Sequence, residues 1–171
     1  MTSIPSLRPS LRRATVGAAL LAGLALPLAA AHAERPASPL ADLVGKWAGN
    51  GTVSLANGAS ERIRCQAAYA PGTDSNNLRS LLRCASDSYK FELASDIVDQ
   101  AGRLSGAWKE VTRNVSGPVA GSVTRGELQA NIDMPGFAAR LTIATQGNRQ
   151  VVSVSSQGTD LTGVSITLNR R

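Results

Sequence analysis

Histidine is almost missing from this chain of 171 residues, which holds one, His32. The sequence also has only two cysteines, and just 4% of its residues are aromatic. Histidine is the commonest general base and a frequent metal ligand. The chain shows no Gly-x-Ser-x-Gly, Walker or dinucleotide-binding motif either. We therefore expect a protein that is not an enzyme and that carries no cofactor and no metal.

Residues 1–33 have the pattern of a secretory signal peptide. Arg8, Arg12 and Arg13 form a positive n-region, the stretch 14–31 is almost wholly apolar, and residues 31–33 give an A-x-A cleavage site. We expect Sec-type export with cleavage after Ala33, and hence a periplasmic or secreted protein. Cleavage removes the histidine. No second long apolar run follows, so we expect no transmembrane segment in the mature chain.

The net charge of +6 overstates how basic the mature protein is. Three of the 18 basic residues belong to the signal peptide, which leaves 15 against 12 acidic ones. These charges are interspersed, and they form no run of five or six like charges. A protein that binds nucleic acid usually shows a basic patch, so we expect no nucleic-acid partner.

After a predicted leader at 34–42, residues 43–171 alternate between apolar and polar side chains. This period of two indicates half-buried strands, each with one dry and one wet face. Turn signals separate the runs, among them Asn57-Gly58, which favours a type I′ hairpin turn with positive φ at both residues. The pattern predicts strands at 44–56, 60–70, 78–86, 88–97, 103–113, 117–125, 127–134, 137–146, 149–157 and 161–169.

Consecutive strands with short links predict an all-β, up-and-down antiparallel barrel of eight to ten strands. A long meander with open edges invites aggregation, and closure removes those edges. Several glycines, such as Gly49, Gly106 and Gly121, lie within the strand patterns, where they often mark bends. A two-sheet β-sandwich is the alternative architecture.

The two cysteines fit one hairpin. If Cys65 faces Cys84, the turn is centred between Asp74 and Ser75, inside a predicted polar loop. The same register pairs Ala67 with Leu82. Directly opposed residues on neighbouring strands lie within disulfide range. We predict a Cys65–Cys84 disulfide, because a redox pair favours a Cys-x-x-Cys motif and two thiolates alone do not complete a metal site.

Two Gly-x-Trp triplets stand within predicted strands, Gly45-Lys46-Trp47 and Gly106-Ala107-Trp108. On these the chain resembles calycin-type barrels, the lipocalins and avidin-like proteins, although the second lipocalin motif, Thr-Asp-x-Tyr, is missing. The chain as a whole also resembles a group of small secreted bacterial proteins with no assigned activity. The resemblance implies that Trp47 closes the barrel floor, with Arg170 as the nearest basic residue to stack on it.

Small inward residues in such a barrel leave room for a ligand. We therefore predict that the protein binds a small apolar or amphipathic molecule. An alternative is a protein-interaction module of the cell envelope, with the leader at 34–39 and the loop at 72–77 as contacts. The two tryptophans also suit plain core packing. The candidate residues for the barrel floor or a ligand pocket are Trp47, Trp108, Tyr69, Tyr89 and Phe91.

Overall fold

Ten strands and one short helix make up the part of the chain that the computed structural model describes, residues 38–171. The predicted signal peptide and the first residues of the leader lie outside this range. A 3-10 helix spans Pro39–Leu43. The strands are β1 (Gly45–Leu55), β2 (Ser60–Pro71), β3 (Asn77–Ala85), β4 (Lys90–Gln100), β5 (Arg103–Glu110), β6 (Val115–Thr124), β7 (Glu127–Met134), β8 (Phe137–Gln146), β9 (Arg149–Gln157) and β10 (Leu161–Arg170).

Each strand pairs antiparallel with the strands before and after it, and β10 returns to pair with β1. The sheet is thereby closed, which confirms the predicted antiparallel barrel and its upper limit of ten strands, and excludes the sandwich. Closure leaves none of these ten strands at an open edge of the sheet, although β6 pairs with β7 only from Ala120 to Thr124.

The chain alternates as its sequence predicts, with one residue directed into the barrel and the next toward solvent. In β2, for example, Ile63, Cys65, Ala67 and Tyr69 are buried, and each residue between them is exposed. Buried side chains from all ten strands meet in a single apolar core. Burial of this core supplies the main driving force for folding.

The 3-10 helix closes one end of the barrel. Ser38 caps it through its hydroxyl, which accepts a hydrogen bond from the Leu40 N–H at 3.3 Å, and Pro39 suits the first turn. Leu40 and Leu43 are 1% and 4% exposed and belong to the core. The end of the predicted leader therefore contributes a buried side chain to the barrel. No helix among residues 38–171 is both long enough and apolar enough to cross a membrane.

The prediction of a type I′ turn in the first hairpin is wrong. Only Gly58 has a positive φ, 82°, whereas Asn57 does not. The Gly58 N–H bonds to the carbonyl of Leu55 at 3.0 Å, and the side-chain oxygen of Asn57 accepts from the Ala59 N–H at 3.0 Å. The asparagine thus fixes the turn through its side chain and needs no left-handed backbone.

Strand β5 ends three residues before its predicted end. The carboxylate of Glu110 accepts the backbone N–H groups of Thr112 at 3.2 Å and Arg113 at 2.6 Å, so the chain turns there. Asn114 follows with a φ of 56°. The buried carboxylate of Glu110 thus accepts hydrogen bonds from backbone N–H groups that could otherwise continue the strand pairing.

Glycines allow neighbouring strands to approach closely at several inward positions. A Cβ built on Gly121 of β6 would lie 1.9 Å from the backbone oxygen of Gln129 on β7, and one on Gly49 of β1 would lie 1.9 Å from that of Thr167 on β10. No other residue fits such a space without a backbone shift. These positions are where a small barrel bends its strands most.

Candidate functional site

The interior of the barrel has two parts of different character, a tightly packed floor beside the 3-10 helix and a more accessible half at the opposite end. Trp47 and Arg170 belong to the floor. The indole Nε1 of Trp47 donates to the carbonyl of Leu43 at 2.8 Å and so fastens the helix to β1. Arg170 lies over the indole ring, with Cζ 4.2 Å from the ring centroid.

The guanidinium of Arg170 also binds the backbone around the helix. Its Nη2 donates to the carbonyl of Asp42 at 2.8 Å, and its Nη1 donates to that of Val44. Gly45 has a φ of 134°, and a Cβ there would lie 2.6 Å from Nη1. The glycine of the first Gly-x-Trp triplet therefore makes room for the arginine. This arrangement serves to close the barrel and offers no space for a ligand.

A buried hydrogen-bonded chain crosses the floor between distant strands. The hydroxyl of Tyr69 on β2 donates to Oε1 of Gln150 on β9 at 2.9 Å, and Nε2 of Gln150 donates to the hydroxyl of Thr145 at 3.2 Å. Gln150 is fully buried. Burial raises the pKa of the Tyr69 hydroxyl well above its ordinary value, which keeps it protonated as a donor. The network therefore fixes the packing of the floor.

At the opposite end, inward apolar side chains are only partly shielded from solvent. They pack against the buried core and so point into the barrel, and yet each is partly exposed to water. We call this region the apolar cup. Its walls come from seven strands: Leu55, Leu82, Phe91, Leu93, Ile132, Met134, Phe137, Leu141, Val154 and Leu161. Apolar surface of this kind gains free energy when a ligand covers it.

Trp108 lies in the wall of the cup and carries an unsatisfied donor. Its ring centroid is 6.4 Å from that of Phe137, in a tilted arrangement. The indole Nε1 is buried and has no hydrogen-bond partner among the described residues. A Cβ on Gly117 would lie 3.3 Å from this nitrogen and 2.8 Å from Sδ of Met134. Gly117 and Met134 therefore both lie beside the indole nitrogen. A buried donor without a partner costs about 1–3 kcal/mol.

Two further polar features border the cup. The hydroxyls of Ser80 and Ser95, on β3 and β4, lie 2.7 Å apart and share one hydrogen bond. Glu110 is 8% exposed. Its burial works to raise its pKa, but hydrogen bonds from the backbone N–H groups of Glu92, Arg113 and Thr112 outweigh that effect and hold the pKa below its ordinary value. Glu110 therefore stays a carboxylate that is occupied in holding a turn.

The five predicted floor or pocket residues are spread over both ends of the barrel. Trp47 and Tyr69 lie in the floor, whereas Trp108 and Phe91 lie on the walls of the cup. Tyr89 is half-buried in the turn between β3 and β4, where its N–H bonds to the hydroxyl of Ser86 at 2.9 Å.

Sequence reasoning did not identify Phe137 and Met134 as partners of Trp108, nor Gln150 as a partner of Tyr69. The alternation of apolar and polar residues predicted that Met134 and Phe137 face inward, and it predicted only that Gln150 lies in a strand. It gave no information on which strands meet across the barrel.

Cys65 and Cys84 face each other across β2 and β3, in the register that the hairpin argument predicted. Their sulfur atoms are 2.08 Å apart, at disulfide distance, and both residues are almost fully buried. The bridge lies in the barrel wall next to Gly49, which pairs with Cys65 from β1. Within residues 38–171, no group of three or more histidine, cysteine or acidic side chains is placed to hold a metal ion.

Comparisons with known proteins support the architecture. No protein-family model matches the chain. No curated protein matches it either. Solved structures do: the barrel is similar to the crystal structure of Rv2717c from M. tuberculosis, with a TM-score of 0.64 and 16% sequence identity over 77% of this chain and 94% of that one.

A second similar structure is the S-type phycobiliprotein lyase CPES from Guillardia theta. It has a TM-score of 0.59 and 12% identity, and the match covers 76% of this chain and 89% of the lyase. At these identities the likenesses concern the fold. They place this chain among barrel proteins of similar size.

Proposed function

We propose that this protein binds a small apolar or amphipathic molecule in the apolar cup, and that it does so without catalysing a reaction. The observation that carries the proposal is the partial exposure of apolar side chains that point into a closed barrel. Ligand sites are typically concave and apolar with few polar groups. The Trp108 indole N–H is a buried donor without a partner among the described residues. A ligand that displaces Met134 and presents an acceptor to this N–H would satisfy it.

The proposal that the protein is not an enzyme rests on the chemistry of its buried polar groups. Residues 38–171 contain no histidine. The two buried acids are both engaged by the backbone: Asp99 accepts from the Gly102 N–H at 2.7 Å, and Glu110 accepts from its own turn. Carboxylates that cap turns are poorly suited to general acid or base work, which needs a free oxygen near the substrate.

We further propose that the protein acts in the periplasm or outside the cell, after removal of residues 1–33. The disulfide supports this location, because such bonds persist in oxidising compartments. N-terminal sequencing of the protein from a cell-envelope fraction is expected to begin at Glu34.

The proposed ligand binding is compatible with the similar structures, because one protein with this barrel fold is a phycobiliprotein lyase.

The test of the cup uses a neutral fluorescent probe, N-phenyl-1-naphthylamine, and two matched variants. Ala139 is half-buried and directed inward on β8, next to Phe137 and Leu141, whereas Ala138 is exposed on the same strand. Ala139→Trp fills the cup, and Ala138→Trp adds the same side chain outside it. We expect the probe to bind the native protein, with at least about tenfold weaker binding to the first variant only (about 1.4 kcal/mol).

Native mass spectrometry of the protein purified from its own envelope complements the probe. A bound small molecule that is lost from the Ala139→Trp variant supports the proposal. The proposal fails if the native protein carries no ligand and the two folded tryptophan variants bind the probe equally well.

A further inference from the structure

The outer face of the barrel carries a groove that is separate from the apolar cup. It has a volume of about 620 Å³ and lies across β1–β4 and the end of β10. We call it the basic groove and define it by six outward side chains that line it together with Gln66, Glu92 and Asn169: Asn50, Arg64, Arg83, Ala85, Lys90 and Arg171. All six are exposed. The buried Cys65 and Cys84 and the half-buried Phe91 also border it, but their side chains face the interior.

The strand register explains the shape of the groove. Arg64 pairs with Asn50 on one side and with Ala85 on the other, and Ala85 pairs with Lys90. The four residues form one row across four strands. With strands about 4.8 Å apart, Arg64 and Lys90 are separated by about 10 Å with only a methyl group between them. Ala48, which is half-buried in the neighbouring row, is a second small residue that lines the groove.

The charge of the groove is unbalanced. Arg83 is paired with Glu92, with Nε 2.9 Å from Oε2 and Nη2 3.2 Å from Oε1. Within residues 38–171, neither Arg64 nor Lys90 lies within 4.0 Å of a carboxylate. Chain positions 64 and 90 are far apart in sequence, so the tertiary fold creates a concentration of positive charge that the interspersed sequence hides. Such a concave cationic surface attracts anionic partners.

We infer that the basic groove binds an acidic, extended segment of a partner polypeptide. In an extended chain, every second side chain lies on the same face, about 6.6 Å from the next. The long side chains of Arg64 and Lys90, which start about 10 Å apart, can reach two acidic residues at that spacing. The strands beneath the groove are already paired on both sides, so the segment is read by side-chain charge rather than by strand addition.

Other anionic partners fit the groove less well. A membrane surface is nearly flat, whereas the groove is concave. A single-stranded nucleic acid needs aromatic platforms for its bases, and the one aromatic residue along the groove, Phe91, points into the barrel. This inference is independent of the ligand proposed for the apolar cup.

The experiment measures fluorescence anisotropy of a labelled ten-residue peptide of alternating glutamate and serine, titrated with the exported protein. The test variant combines Arg64→Gln with Lys90→Gln. The control combines Arg103→Gln with Arg125→Gln, which removes the same charge from exposed positions outside the groove. We expect the test variant to bind at least about tenfold more weakly and the control to stay within about twofold, with affinity falling as salt rises.

Three outcomes overturn the inference. The first is no binding of the peptide at low salt. The second is equal weakening by both variants, which means that net charge alone acts. The third is tighter, groove-dependent binding of a single-stranded oligonucleotide or of vesicles that contain phosphatidylglycerol, which means that the partner is not an acidic polypeptide. Circular dichroism and thermal unfolding of both variants verify that the barrel is intact.

Discussion

Arg170 lies over the indole ring of Trp47, with its guanidinium carbon 4.2 Å from the ring centroid, and it holds the 3-10 helix through the carbonyls of Asp42 and Val44. The two residues pair directly across β10 and β1, where the barrel closes on itself. This single contact therefore joins the last strand, the first strand and the helix that seals the floor.

Replacement of Arg170 is expected to loosen that end of the barrel. Arg170→Ala removes the cation–π contact and two hydrogen bonds to carbonyls, and we expect the free energy of unfolding to fall by about 2–3 kcal/mol. Arg170→Lys keeps the charge but not the planar fork, so it recovers only part of the loss. Urea unfolding measures both, with exposed Arg171→Ala as a control that changes by less than about 0.5 kcal/mol. Equal effects at 170 and 171 would contradict this role.

Loss of the Cys65–Cys84 bridge is expected to destabilise the barrel. The bridge closes a loop with a sequence separation of 19, which the chain-entropy account values at about 3 kcal/mol. The double variant Cys65→Ala with Cys84→Ala should unfold at lower urea than the native protein. Alkylation before and after reduction, read by intact mass, should show two thiols that are blocked until reduction. Free thiols in the unreduced, exported protein would contradict the bridge.

Two strand glycines are expected to respond in opposite ways to alanine. At Gly121 a Cβ would lie 1.9 Å from the Gln129 oxygen, whereas at Gly163 the nearest atom would be 3.4 Å away, in ordinary contact. We expect Gly121→Ala to lower the free energy of unfolding by about 3 kcal/mol or more, or to abolish soluble expression. Gly163→Ala should be neutral or stabilise by about 0.4–1 kcal/mol, because alanine restricts the unfolded chain. Thermal midpoints and soluble yield test the pair, and a similar response at both sites would count against the close approach of β6 and β7.

Glu110 is expected to make stability depend on acid pH. Its pKa in the folded state lies below the ordinary value of 4.5, so its stabilising effect is full above that value and is lost as the pH falls through the folded pKa. Glu110→Gln should therefore be less stable than the native protein by about 1–3 kcal/mol at pH 7, with a gap that narrows below about pH 4. Exposed Glu127→Gln should show no such gap. A gap that stays constant from pH 7 to pH 3 would rule out this titration.

Strand positions were predictable because the barrel wall is a single sheet. The side chains of every strand therefore alternate between the apolar interior and the solvent. All ten predicted strands occur, and β7, β8 and β9 have the predicted bounds. The pairing of Cys65 with Cys84 was predictable for a related reason, since a hairpin fixes register locally. The end of β5 was not, because the Glu110 side chain bonds to backbone groups that no alternation reveals.

The sequence by itself determined that this chain forms a meander of antiparallel strands, which of its side chains face inward and where its cysteines meet, because those features depend on near neighbours in the chain. Only the tertiary structure decided that Leu40 seals the floor, that Tyr69 meets Gln150, that the far end holds a cup open to solvent, and that Arg64 and Lys90 flank one groove. These contacts join residues that are distant along the chain, and their distances depend on how many strands close the barrel and on the shear between them.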